Sequence, residues 1–424
     1  MCGQMNRINI MAATSSQKDT MLWITLFFYL ISFTDFLSDY IPVSIAKVSI
    51  YLLAEVLIFY VYKRQTKFQR IDLVKYVIVP YLFLLFIRLC VDFVIPGKGF
   101  SIYGNSYTIV FFFFNAIVIP VFFYSKYRVS INLVSFCLVA GVIMSICFLL
   151  SLDQIIVESI AAASKGGQYD AGGHLDIISY GQYSSALSLI GLYLLFFHSK
   201  NKIIILISFV FIAIGLSGIV LSAARSAVVS LFVGALYLYI SRFGSFKKIL
   251  LGILLIVLLS SFFVEEIVKF GDYLEENGFY GFSRIVDTFF NGDEDIMNQT
   301  NGRDNLYKMG MSLFIENPIW GYAYLLPTGT YVHNIFIEQF MALGLIGGSF
   351  FVIMNLAIIK YSFIIAKHCP VYSIFSTLFI QNLIFGFFSL TIIGLTAYWL
   401  FLALVINTFA NYKYEKRIGY NSNL

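Results

Sequence analysis

His333 is one of only four histidines in the chain and stands at the edge of an apolar run, with Asn334 next and Glu338 a helical turn beyond. An imidazole titrates near neutral pH and can take a proton from a hydroxyl. A polar side chain on the same helical face is placed to orient it. Arg303 opens a helix-like stretch, where a guanidinium beside backbone N–H groups suits a phosphate. Arg225 lies in Ser222-Ala223-Ala224-Arg225-Ser226, a break in the apolar stretch from Ile203 to Ile240. A cation there is costly unless it faces a cavity or an anion. Arg284, in Phe282-Ser283-Arg284-Ile285, is a further loop cation. One candidate base and three guanidiniums together suit a pyrophosphate leaving a site where a hydroxyl is activated. Plainer readings stand beside these: His333 packing at a membrane edge, Arg303 pairing with Asp304, Arg225 snorkelling from a helix end.

The elements that must hold these residues are membrane spans. The chain is 59% hydrophobic, 18% aromatic and 12% charged over 424 residues, with a mean hydropathy of +0.84. Soluble domains carry about 25% charged residues. A polytopic, all-α membrane protein is therefore expected. Apolar runs of about 20 residues cross a bilayer, and roughly twelve are read here: 20–38, 41–62, 73–95, 107–125, 129–152, 176–198, 202–222, 224–241, 247–264, 334–358, 371–389 and 392–411.

Lys and Arg cluster in alternate gaps, as at Lys63, Arg64, Lys67 and Arg70, then at Lys413, Lys416 and Arg417. The positive-inside rule then puts both termini in the cytoplasm and residues 265–333 outside, as one large external loop. The whole chain, 1–424, reads as a single membrane domain, and its polar N-terminus precedes a retained anchor rather than a cleaved signal. The basic charge orients the protein and implies no nucleic acid. Cys90, Cys137 and Cys147 fall within spans and read as packing residues. Arg88 is expected to pair with Asp92, and Lys47 with Glu55.

Within the large loop, Leu306, Met309, Leu313 and Phe314 recur at helical spacing, and Pro318 ends the pattern. This predicts a short amphipathic helix from Asp304 to Glu316 against the outer membrane surface. Asp293-Glu294-Asp295 imitates a metal-binding acidic motif but sits in a polar turn, so no metal and no cofactor is expected.

The order of these pieces resembles the bacterial O-antigen polymerase and O-antigen ligase superfamily. The matching segments are Ser222–Ser226, Gly302-Arg303, Glu316–Tyr322, Val332-His333-Asn334 and Gly344–Gly347. One departure is Ala224-Arg225-Ser226 where the family often has Ser-Arg-Gly. The resemblance implies a metal-independent, inverting glycosyltransferase of the C type in a bacterial inner membrane, with its active site on the periplasmic face. Its donor would be an undecaprenyl-pyrophosphate-linked oligosaccharide. On this reading Arg225, Arg303 and Arg284 hold the pyrophosphate, and His333 is the base, with Glu338 or Asn334 orienting it. A Wzy-type polymerase is favoured, joining one lipid-linked repeat unit to another, and the resemblance implies a chain-length regulator as partner protein. A ligase would instead use lipid A core as acceptor. A lipid-linked oligosaccharide flippase or another transporter is the alternative of a different class. Such proteins gather polar residues at the bilayer midplane, whereas here they gather at one interface.

Overall fold

In the computed structural model the described residues are 72–95, 133–153, 155–156, 177–222, 224–244, 266, 268–273, 276 and 303–421. The elements among them are all helical. They are α1 (Val79–Val94, entered through a π-helical turn Val74–Ile78), α2 (Leu133–Leu150), α3 (Ile177–His198), α4 (Lys202–Ser222), α5 (Arg225–Phe243), α6 (Arg303–Glu316), α7 (Ile335–His368), α8 (Ser373–Phe388) and α9 (Thr396–Asn421). Six helical segments are long and apolar enough to cross a membrane: Val74–Val94, Leu133–Leu150, Lys202–Ser222, Arg225–Phe243, Ile335–His368 and Pro370–Phe388. This is the composition of an integral membrane protein. Helices α3 and α9 also occupy expected spans, although α9 starts later than residue 392. The expected spans 20–38, 41–62, 107–125 and 247–264 lie outside the described residues, as do Lys47 and Glu55.

The chain divides into two compact units. In one, α3 packs on α2, α4 and α5. Its contact with α4 is close because small residues face each other. A Cβ on Gly215 would lie 2.2 Å from Ser188 Oγ and 2.6 Å from the Ser184 carbonyl oxygen. Lipid offers no hydrophobic drive between helices, so backbone approach of this kind supplies the attraction. The α3–α4 turn is fixed by Asn201, whose side chain accepts from the Ile203 amide at 2.9 Å. Helix α5 stops at Gly244, at φ 66°, and Arg242 Nε donates to the Phe196 carbonyl near the end of α3 at 2.9 Å.

The second unit is built around α7, which contacts α1, α6, α8 and α9. Helix α7 is not continuous. Gly344 has φ 64° and ψ −163°, so a short segment from Ile335 to Leu343 meets a longer one from Leu345 to His368. The groups freed by the break are taken by the loop after α6: Tyr322 N–H donates to Met341 O and Leu345 N–H to Pro318 O, both at 2.7 Å. Non-helical backbone at a membrane helix is tolerated where protein partners satisfy it in this way. The fit leaves no room for side chains. A Cβ on Gly344 would lie 2.2 Å from Ile319 O, and one on Gly321 would lie 2.4 Å from Ala342 O.

Candidate functional site

The loop between α6 and α7 carries the candidate chemistry, and α1 grips it. Arg88 donates to three successive loop carbonyls: Trp320 at 2.6 Å, Gly321 at 3.1 Å and Tyr322 at 2.9 Å. It also pairs with Asp92 at 3.4 Å, as the spacing predicts. The other oxygen of the buried Asp92 accepts from the Tyr324 amide at 2.7 Å. The ion pair thus serves as a clamp on the loop, a role that its i, i+4 spacing did not reveal. Hydrogen bonds to charged groups contribute about 1.5–3 kcal/mol each, enough to hold an irregular segment.

Tyr324 enters a buried polar cluster. Its hydroxyl donates to Glu338 Oε1 at 2.6 Å and bonds Thr391. Gln339 Nε2 and the Ile392 amide also donate to Oε1, both at 3.1 Å. The Ile393 amide donates to the Tyr324 oxygen at 3.3 Å, and Tyr81 donates to Gln339 Oε1 at 2.8 Å. Burial, then the Glu338 carboxyl, holds the Tyr324 phenol well above its usual pKa, so it stays a donor. Glu338 has no exposed surface. It ties α7 to the loop and to the turn 389–395 that precedes α9. Neither Tyr324 nor Thr391 carried a sequence signal, since their partners are far away in the chain.

Asn334 is the N-cap of α7: its Oδ1 accepts from Phe336 N at 3.0 Å and Ile337 N at 3.1 Å. Among the described residues, neither Asn334 nor Glu338 hydrogen-bonds to His333. The bonds that Asn334 and Glu338 make hold the fold.

His333 is differently placed. Its backbone is in the left-handed region at φ 61°, a cost of about 1–3 kcal/mol for a residue with a Cβ. Its ring lies 4.1 Å from that of Tyr331, centroid to centroid, and its buried Nδ1 has no hydrogen-bond partner. Burial, reinforced by the Arg303 guanidinium, pushes its pKa down to about 4. The imidazole is neutral at pH 7 and has a ring nitrogen that the fold leaves unused.

Arg303 is the first residue of α6, as expected, and shares the electrostatic environment of His333. Its Nη1 donates to Phe388 O at 2.6 Å and contacts Ser389 Oγ at 3.3 Å. Part of the guanidinium thus closes the end of α8. Arg225 is the first residue of α5 in the other unit, after Ala224 at φ −83°, ψ 99°. Arg284 lies outside the described residues.

Helix α6 itself corrects one expectation. The apolar line read from the sequence packs on protein. Leu313 packs in a core with Leu326, Val332 and Met341, joined by Leu306 and Met309, and the Phe314 ring meets that of Phe340 at 5.4 Å. Gly310 lets this face approach Val332 and Ile337.

Residues 209–352 match the O-antigen ligase family model Wzy_C, about a third of the chain. The matched segment includes Arg225, Arg284, Arg303, His333 and the Gly344 break. It supports a relationship to the O-antigen ligase and polymerase superfamily. No curated protein matches the chain.

Proposed function

We propose that this protein transfers a glycan from a polyprenyl pyrophosphate carrier to a sugar hydroxyl at the outer face of the membrane, with His333 as base. The observation that carries the proposal is the state of His333 inside the family-matched segment: neutral, backbone-strained and with Nδ1 unpartnered. Strain of this kind persists where the surrounding structure enforces it, and functional sites are where it gathers. In the transfer, the acceptor oxygen forms a bond to the anomeric carbon as the bond from that carbon to the phosphate oxygen breaks. The acceptor proton goes to His333, and the lipid pyrophosphate leaves with the electron pair. Direct displacement inverts the anomeric centre. A pyrophosphate beside His333 offsets the effect of Arg303 and raises the imidazole pKa toward neutrality, where a base works best.

Arg303 stabilises the leaving charge, using the N–H groups that are not bonded to Phe388 or Ser389. Arg225 and Arg284 are proposed as further phosphate contacts from their sequence pattern. Repeat-unit polymerisation is the favoured outcome, resting on the run of His-Asn-x-x-x-Glu into the helix. Ligation to lipid A core is the second reading, favoured by the description of the matching family.

The test is the lipopolysaccharide ladder of cells lacking the gene and complemented with wild type, His333→Ala or Arg225→Ala. Core plus one repeat unit in the deletion, restored by wild type and by neither variant, is the polymerase result. Bare core with long glycan stranded on the carrier is the ligase result. Full restoration by both variants overturns the assignment.

A further inference from the structure

Helix α6 has a second apolar line that the packed core does not use. Ile315 is 69% exposed, and Ile319 and Trp320, in the turn that follows, are 56% and 67% exposed. Met311, one turn before Ile315, is exposed as well. Polar residues lie to one side, at Ser312 and Glu316, and the core-facing line Leu306, Met309 and Leu313 to the other. Met311, Ile315, Ile319 and Trp320 exposed together form an apolar patch of the kind that marks an interaction surface.

The position of this line identifies what covers it. Pro318 O accepts the Leu345 amide, and Ile319 O lies against Gly344. The turn is therefore fixed at the top of the longer segment of α7. Leu345 is itself exposed, and Leu356 and Phe363 continue the same face down the helix. That face belongs to a helix apolar enough to span a membrane, so the exposed line of α6 continues a lipid-facing stripe. Trp is enriched where an apolar body meets a wet edge, at the level of the lipid headgroups. Lys308, exposed near this line, is placed to reach lipid phosphates while its stem stays in the apolar layer.

We infer that Met311, Ile315, Ile319 and Trp320 form an interfacial seat in the bilayer, buried at the boundary between headgroups and acyl chains. The occupant is phospholipid, and the seat is joined through backbone hydrogen bonds to the break in α7. The seat stands without the glycan-transfer reading; its use, holding His333 at the depth of a lipid-linked pyrophosphate, rests on that reading.

Tryptophan quenching tests this without measuring activity. Wild type and Trp320→Phe are reconstituted in vesicles of phosphatidylcholine and phosphatidylglycerol, and the difference in emission isolates Trp320 from Trp23 and Trp399. The expected result is loss of that difference emission with bromine on the upper acyl chain, less loss with bromine near the chain end, and shielding from aqueous iodide. Quenching by iodide with none by brominated lipid overturns the seat. Shielding from both quenchers also overturns it, since protein would then cover the surface. If Trp320→Phe does not accumulate, Ile315→Trp adds emission on the same line, and the same outcomes apply.

Discussion

Glu338 receives hydrogen bonds from Tyr324, Gln339 and the Ile392 amide, and it joins three parts of the chain. His333, just before the same helix, has a ring contact with Tyr331, an unpartnered Nδ1 and a strained backbone. In the sequence the two residues look like members of one catalytic group. In the fold, Glu338 Oε1 is bonded to three parts of the chain, whereas its Oε2, like His333 Nδ1, is buried without a hydrogen-bond partner. A polar residue beside a candidate base is therefore not its orienter by default: the bonds it already makes decide its role.

The strongest way to break this comparison is to exchange the consequences of the two residues. His333→Ala is expected to lower glycan transfer by about 10²–10⁴-fold, the range of a general base, while protein level and thermal stability stay near wild type. Glu338→Ala is expected to act in the opposite sense. Leaving buried donors without an acceptor costs about 1–3 kcal/mol each, so folded protein should fall sharply, measured by its fraction in a monodisperse peak. Glu338→Gln, which keeps an acceptor oxygen, should recover most of it.

Gly344→Ala probes the break that positions both residues. A Cβ there meets Ile319 O at 2.2 Å at a positive φ, so a loss of at least about 1–3 kcal/mol is expected, read as a lowered melting temperature. An unchanged melting temperature would mean that α7 and the loop are not joined as described.

Acid titration sharpens the contrast further. The His333 pKa lies below its ordinary value of 6.5, at about 4. The unfolded chain therefore binds more protons between these values, and stability falls as pH drops through that window. The loss is on the order of 2–3 kcal/mol by pH 4. His333→Gln should remove this part of the pH dependence. The smallest effect is expected from Arg303→Ala. Loss of the guanidinium removes one of the two causes of the depressed pKa, so the His333 titration should move up modestly, by histidine NMR.

Much of this arrangement is local and so legible in the sequence. Arg303 starts α6, Glu316 ends it ahead of Pro318, and Asn334 opens α7, because caps, periodicity and proline act over a few residues. The i, i+4 pair of Arg88 and Asp92 is legible for the same reason. What that pair holds is not, since Trp320 to Tyr324 lie more than 200 residues away. The break at Gly344 was also hidden, because Gly-Leu-Ile-Gly raises no polar signal within an apolar run. Helix α6 shows the limit of periodicity: it locates an apolar line, but two lines were present, and packing chose the one that faces protein. Residues 392–395 read as the start of a span because they are as apolar as a helix, but the helix begins at Thr396.

The central claim is that His333 is available for chemistry and Glu338 is structural. The most direct test is transfer from a polyprenyl-pyrophosphate-linked glycan by purified wild type, His333→Ala and Glu338→Gln in proteoliposomes, each checked for its melting temperature. The account predicts a folded, inactive His333→Ala and an active Glu338→Gln. An active His333→Ala, or a fully folded Glu338→Gln without activity, would contradict it.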